Sequence, residues 1–150
     1  MVVFEGTAPP LSELDIKRVE HRLGVRLPED IKQHYLLHNG GRPNPRFFVR
    51  NGEAYEVHEF FSMNPADDES SFERAYEILV GQTPEFPRGY VPFAGDSTGD
   101  VYIYSVRPES CGNIALCSHE DYEDHDRYVV FLAPTLREFI NFFTEDPDEL

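Results

Sequence analysis

The densest group of side chains able to do chemistry in this 150-residue chain is the run His119-Glu120-Asp121-Tyr122-Glu123-Asp124-His125-Asp126. Two imidazoles with carboxylates between them are metal donors, but their spacing matches no standard ligand pattern. As an acid/base pair, the carboxylates lack the apolar pocket that would drive two pKa values apart. The run is therefore read as a solvated acidic loop or as a surface for a partner. GDSTGD, residues 95–100, sets Asp96 and Asp100 in a glycine turn without the twelve-residue pattern or closing Glu of a calcium loop. Gly40-Gly41 is followed by no GK[ST] and forms no GxGxxG, so it is not a phosphate cradle. Ser, His and Asp all occur, but nothing resembles a nucleophile elbow. His21, His34 and His38 fall along two predicted helices and are read as half-exposed structural residues. No catalytic residue, metal site or cofactor is assigned.

Charge is the stronger signal. Asp plus Glu number 28 against 13 Lys plus Arg, a formal net charge of −15. Such a chain is repelled by nucleic acid and anionic lipid and attracted to basic partners, although acidity also serves plain solubility. The acids concentrate at Asp67, Asp68 and Glu69, at Asp96 and Asp100, through Glu120, Asp121, Glu123, Asp124 and Asp126, and in the tail. Tyr102, Tyr104 and Tyr122 lie near them and suit either of two roles, aromatic anchors for a partner or plain sheet packing.

Helices, turns and strands must position these groups. Ser12 with Asp15 makes a capping box, and Ile16, Val19 and Leu23 recur at helical spacing over about 13–23. Gly24 stands where a helix end needs positive φ, and Pro28 where the next helix begins. That helix covers about 29–38, has Ile31, Tyr35 and Leu36 as candidates for its buried side, and ends at Asn39-Gly40-Gly41. Phe47–Val49 and Tyr55–Phe61 flank Asn51-Gly52, a strong hairpin signal. Ser70 or Ser71 caps a third helix with Phe72, Ala75, Tyr76 and Leu79 on one face, and 81–89 is a loop. Val91–Ala94 is a strand that Pro92 confines to an edge or an end. Val101–Val106 and Asn113–Cys117 are strands, and Val129–Leu132 a buried one. Thr135 and Glu138 open a last helix with Leu136, Phe139, Ile140 and Phe143 inward. The fold class is α+β: one domain over 1–150, its core about 11–143 and its tail 144–150 frayed. The mainly antiparallel sheet carries helices from both chain ends.

Cys111 and Cys117 are six apart, compatible with a disulfide across a hairpin or with two thiols in a reducing compartment. MVVFEGTAPP has neither the basic region nor the apolar run of a secretory signal, and no segment is long enough to span a membrane, so a cytoplasmic chain is expected. No pattern decides the oligomeric state.

The order of these motifs, LG then LPEDIK and HNGG, later VPFAGDSTGDVYIY and VVFLAPTLREFINFF, resembles the SUKH superfamily from about Leu11 to Phe143. Leu23, Gly24, Leu27, Pro28, Asn39, Gly40 and Gly41 match its N-terminal signature; Pro92, Phe93, Gly95, Gly99 and Asp100 match the central one. Thr135, Leu136 and Phe139 match the closing helix. Many members carry a Trp, and this chain has none. The superfamily includes yeast cell-wall assembly regulators and many bacterial immunity proteins. The resemblance implies a non-enzymatic immunity protein that binds and neutralises a cognate polymorphic toxin, a basic domain and often a nuclease. Two alternatives are a regulator or adaptor of the cell-wall assembly type and an acidic mimic of nucleic acid. The toxin-facing residues read from the charge pattern are Asp67, Asp68, Glu69, Asp96, Asp100, Tyr102, Tyr104, Glu120, Asp121, Tyr122, Glu123, Asp124 and Asp126.

Overall fold

Ser12 starts the first helix. Its hydroxyl accepts from the Asp15 amide at 3.2 Å while the Asp15 carboxylate accepts from the Ser12 amide at 2.9 Å, satisfying donors that a helix N-terminus leaves open. The computed structural model describes residues 2–64, 66, 70–119 and 128–149. Within it α1 runs over Glu13–Leu23 and closes at Gly24, whose φ of 69° is left-handed. Leu27 is buried, Pro28 is the N-cap, and α2 spans Glu29–Leu37. Ile16 and Val19 from α1, and Ile31 and Tyr35 from α2, turn into the core, as their spacing predicts.

At the end of α2 the chain makes its tightest corner. Asn39 is 3% exposed. Its Nδ2 donates to Pro9 O at 2.8 Å and Met63 O at 2.9 Å, and its Oδ1 accepts from Met63 N at 2.8 Å. Gly40 and Gly41 follow with φ of 74° and 102°. A Cβ on Gly40 would stand 2.7 Å from Ser62 Cβ, and one on Gly41 would stand 2.8 Å from Glu5 O. Only glycine lets the two segments approach so closely. Beyond the corner, β1 (Val3–Glu5) pairs antiparallel with β2 (Arg42–Asn44).

Asn51 and Gly52 both take positive φ, 53° and 80°, the turn geometry that suits a two-residue hairpin. They join β3 (Phe47–Arg50) to β4 (Glu53–Glu56). The second arm is shorter than its composition suggests. Val57 N still donates to Arg46 O, the next rung of the hairpin; the chain then leaves it, His58 N donates to Gly95 O, and β5 (Glu59–Phe60) joins the main sheet. The main sheet is antiparallel in the order β5, β6 (Tyr90–Gly95), β7 (Val101–Ser105), β8 (Ile114–Cys117), β9 (Val129–Ala133).

Two strand expectations are corrected. β6 is an inner strand, not an edge; Pro92 is tolerated because β5 pairs only with Ala94 and Gly95, and the register shifts between Pro92 and Ala94. β9 is the outermost strand, and of its residues only Leu132 and Ala133 are buried. The sequence places both ends of the chain on the sheet but says little about strand order.

Side chains alternate cleanly across the sheet. Tyr102, Tyr104, Ile114 and Leu132 face a large core with Phe93, Phe139 and the buried side of α1 and α2. Ile103, Ala115 and Cys117 face a smaller one closed by Phe86, with Leu79 packed against it. α3 (Ser71–Gln82) runs one residue past Gly81, capped by Ser70 and ended where Thr83 Oγ1 donates to Ile78 O at 2.9 Å. It carries Glu73, fully buried, whose carboxylate meets the Arg22 guanidinium of α1 at 2.7 Å. α4 (Leu136–Asn141) is capped by Thr135, and its Phe139 ring packs against Phe48, Tyr102 and Phe143. Thr144, expected in the frayed tail, exchanges backbone bonds with Phe47.

The corner at Asn39 generates the first prediction. Asn39→Ala removes the amide and leaves the buried Met63 N–H and facing carbonyls without partners. A loss of roughly 2–4 kcal/mol in urea unfolding is expected. A loss below about 0.5 kcal/mol contradicts a structural role for the amide.

Candidate binding surface

The turn between β6 and β7 is organised by its own acids. One oxygen of Asp96, Oδ1, accepts from Thr98 N at 2.8 Å, Thr98 Oγ1 at 2.9 Å and Asp100 N at 3.0 Å. Gly99 takes a φ of 102° to let the chain return. Glu56, from the hairpin, accepts from Ser97 N at 3.2 Å and Ser97 Oγ at 2.6 Å, and pairs with Arg46 at 3.5 Å. Asp100 Oδ1 accepts from His119 N at 3.1 Å and lies 2.6 Å from His119 Nδ1. Asp96 and Asp100 are thus half-buried, and their carboxylates hold the turn as well as adding negative charge at the surface.

Tyr102 and Tyr104 require a correction. Each is 1% exposed. The Tyr102 hydroxyl donates to Glu56 O at 2.6 Å, and the Tyr104 hydroxyl to Asp30 Oδ1. Burial raises the Tyr102 hydroxyl pKa far above its ordinary value. Both serve as sheet packing and offer a partner no aromatic face. The alternation that puts Ile103 on one side necessarily puts them on the other. Of the other residues that the sequence pattern assigns to a partner surface, Asp67, Asp68, Glu69, Glu120, Asp121, Tyr122, Glu123, Asp124 and Asp126 lie outside the described residues.

The motif residues occupy joints. Leu23 and Gly24 end α1; Leu27 and Pro28 form the elbow; Asn39, Gly40 and Gly41 form the corner. Phe93 is fully buried beside Pro92, and the Phe61 ring lies where a Gly95 Cβ would meet it at 3.4 Å. Gly99 turns the acidic loop. Among the described residues, no group of three His, Cys, Asp or Glu side chains is arranged to hold a metal ion. Cys111 is an exposed free thiol, so it is not bridged to the buried Cys117. No helix among the described residues is long and apolar enough to cross a membrane.

Sequence spacing does not reveal a groove of about 890 Å³ between β1, α2 and α4, lined in part by Phe4, Asp30, His34, Leu37, Arg137 and Ile140. Phe4 stacks on His38 with ring centroids 4.7 Å apart and meets His34 edge-on at 5.2 Å. His34 Nε2 is buried and makes no hydrogen bond within the described structure. Burial first, then the neighbouring His38, lowers the His34 pKa to about 4. The imidazole is neutral at pH 7 and packs as an aromatic. The i to i+4 spacing of His34 and His38 is visible in the sequence; the Phe4 that covers them, some thirty residues away, is not.

A family model described as the SMI1 / KNR4 family (SUKH-1) matches residues 10–141. That span runs from the residue before Leu11 to the end of α4 and takes in the elbow, the corner and the turn of Asp96. Comparison with curated proteins finds no match.

His34 makes stability depend on pH with a definite sign. Its folded pKa lies below the ordinary value of 6.5, so between those values the unfolded chain holds a proton that the folded chain lacks. The contribution is complete above about pH 6.5 and declines as pH falls toward about 4. It amounts to something on the order of 2–3 kcal/mol. Urea unfolding from pH 7 to 4 should therefore fall more steeply for the native chain than for His34→Gln, by roughly that difference. Parallel curves would show that His34 titrates alike in both states.

Proposed function

The chain belongs to the SMI1 / KNR4 family (SUKH-1), and from that premise we propose that it is an immunity protein. It neutralises a cognate polymorphic toxin, a basic domain of the nuclease kind, by stoichiometric binding in the cytoplasm, and it transforms no substrate. The observation that carries this reading is the net charge of −15 with its acids gathered in runs. A nuclease holds phosphates in a basic cleft. An acidic body is attracted to that cleft from a distance and covers it.

The geometry supports binding by a preorganised body. Asp96 and Asp100 are fixed by hydrogen bonds to their own turn and to His119. Charges already held in place need little further ordering on association, which reduces one of its costs. The acids of 120–126 precede β9 in the chain and contribute the largest block of like charge.

The test is kinetic. Glu120, Asp121, Glu123 and Asp124 are reversed to Lys, and association is followed with the toxin domain encoded beside this chain's gene. The expected result is an on-rate reduced severalfold or more at low salt, with a shallower dependence on ionic strength. Unchanged on-rates at low salt remove this run from the binding surface. A neighbourhood that encodes no toxin domain able to bind the chain contradicts the immunity reading itself.

A further inference from the structure

The two edges of the main sheet are treated differently. At β5 the edge is closed by the corner: Gly41 N donates to Phe60 O at 3.2 Å, and Phe60 N donates to Gly41 O at 2.8 Å. At β9 the phase of the ladder decides which groups stay open. Ser118 N donates to Tyr128 O at 2.8 Å, and Cys117, Leu116 and Ala115 stand opposite Val129, Val130 and Phe131. Bonded and non-bonded residues alternate along an antiparallel pair. Val130 therefore directs its N–H and C=O toward β8, and Val129 and Phe131 direct theirs away from the sheet. Among the described residues nothing bonds to those outward groups.

The next residue is different. Leu132 is the extra residue at the register shift, and Arg50 Nη1 donates to its carbonyl at 3.4 Å. The same guanidinium lies 4.9 Å from the centre of the Phe131 ring, which remains 41% exposed. Arg50 thus closes the edge beyond Phe131 and, among the described residues, leaves a short open window at 129–131. An open edge is a template for another strand, and main-chain pairing with such an edge is a recognised mode of protein recognition.

We propose that this window receives an extended segment of the basic toxin domain, which adds to the sheet beyond β9 and pairs with the backbone of Val129 and Phe131. The Phe131 ring supplies the side-chain contact, and Arg50 marks where pairing stops. The inference rests on the immunity reading above. Charge selects the occupant: a second copy would bring another body of net charge −15 against the first, whereas a basic domain is attracted to this chain.

Amide hydrogen exchange on the full chain, with and without the toxin domain encoded beside its gene, tests this. Exchange at the Val129 and Phe131 amides should slow at least tenfold in the complex. Phe131→Pro removes an outward donor and leaves the inward ladder intact; it should raise Kd at least tenfold, and more than Phe131→Ala does. The exchange measurement on the native chain holds whether or not the proline variant folds. A complex that blocks the toxin while both amides exchange at their free rates overturns the edge proposal and leaves the immunity reading standing. Absence of any complex overturns both. Protection of the same amides in the free chain that grows with its concentration assigns the window to a second copy instead and overturns the choice of occupant.

Discussion

One buried side-chain amide holds three distant parts of this chain together. Asn39 ends α2, its side chain reaches back to the carbonyl of Pro9 and forward to the backbone of Met63, and its backbone carbonyl accepts from Ala8 N at 2.9 Å. The N-terminal segment, the second helix and the link from β5 to α3 therefore share a single anchor. Gly40 and Gly41, both at positive φ, carry the chain out of that anchor at a separation no side chain would permit. The consequence reaches the sheet, because Gly41 is the residue that closes the β5 edge. A fully satisfied polar group in a core specifies one arrangement, and an unsatisfied one is costly, so the corner is strongly determined.

What was legible in the sequence was local. The Ser12–Asp15 box, the Gly24 stop, the Asn51-Gly52 hairpin and the Thr135 cap each depend on residues within a turn of one another, and each stands where its chemistry places it. What was hidden depends on partners far along the chain. Pro92 reads as a residue of an edge or a strand end, yet it sits in an inner strand because β5 is too short to reach it. Arg22 and Glu73 form a pair across 51 positions that no spacing announces. Val129–Ala133 is apolar enough for a central strand, but nothing in its composition says that it comes last in the sheet. Tyr102 and Tyr104 looked equally suited to a surface and a core, and the pleat of β7 decides between the two.

The acids of the candidate surface have a demonstrable part in the scaffold. Asp96 makes the turn that presents it, and Asp100 fastens that turn to His119. Their negative charge still acts at long range, since hydrogen bonding to N–H groups does not cancel it. The two contributions to recognition are therefore of different kinds. In the proposed reading, distributed acidity sets how fast a basic partner arrives, and the β9 edge sets how it is held. Neither requires a reacting group.

The central claim is that this molecule acts by occupying its partner and transforms nothing. The most direct measurement is a titration of the partner toxin's activity against increasing amounts of this chain, with intact-mass analysis of both proteins afterwards. The account predicts activity that declines linearly to zero at one equivalent, with both masses unchanged and full activity recovered when the complex is separated. Complete inactivation at a small fraction of an equivalent, or a covalent change in the toxin, would contradict it.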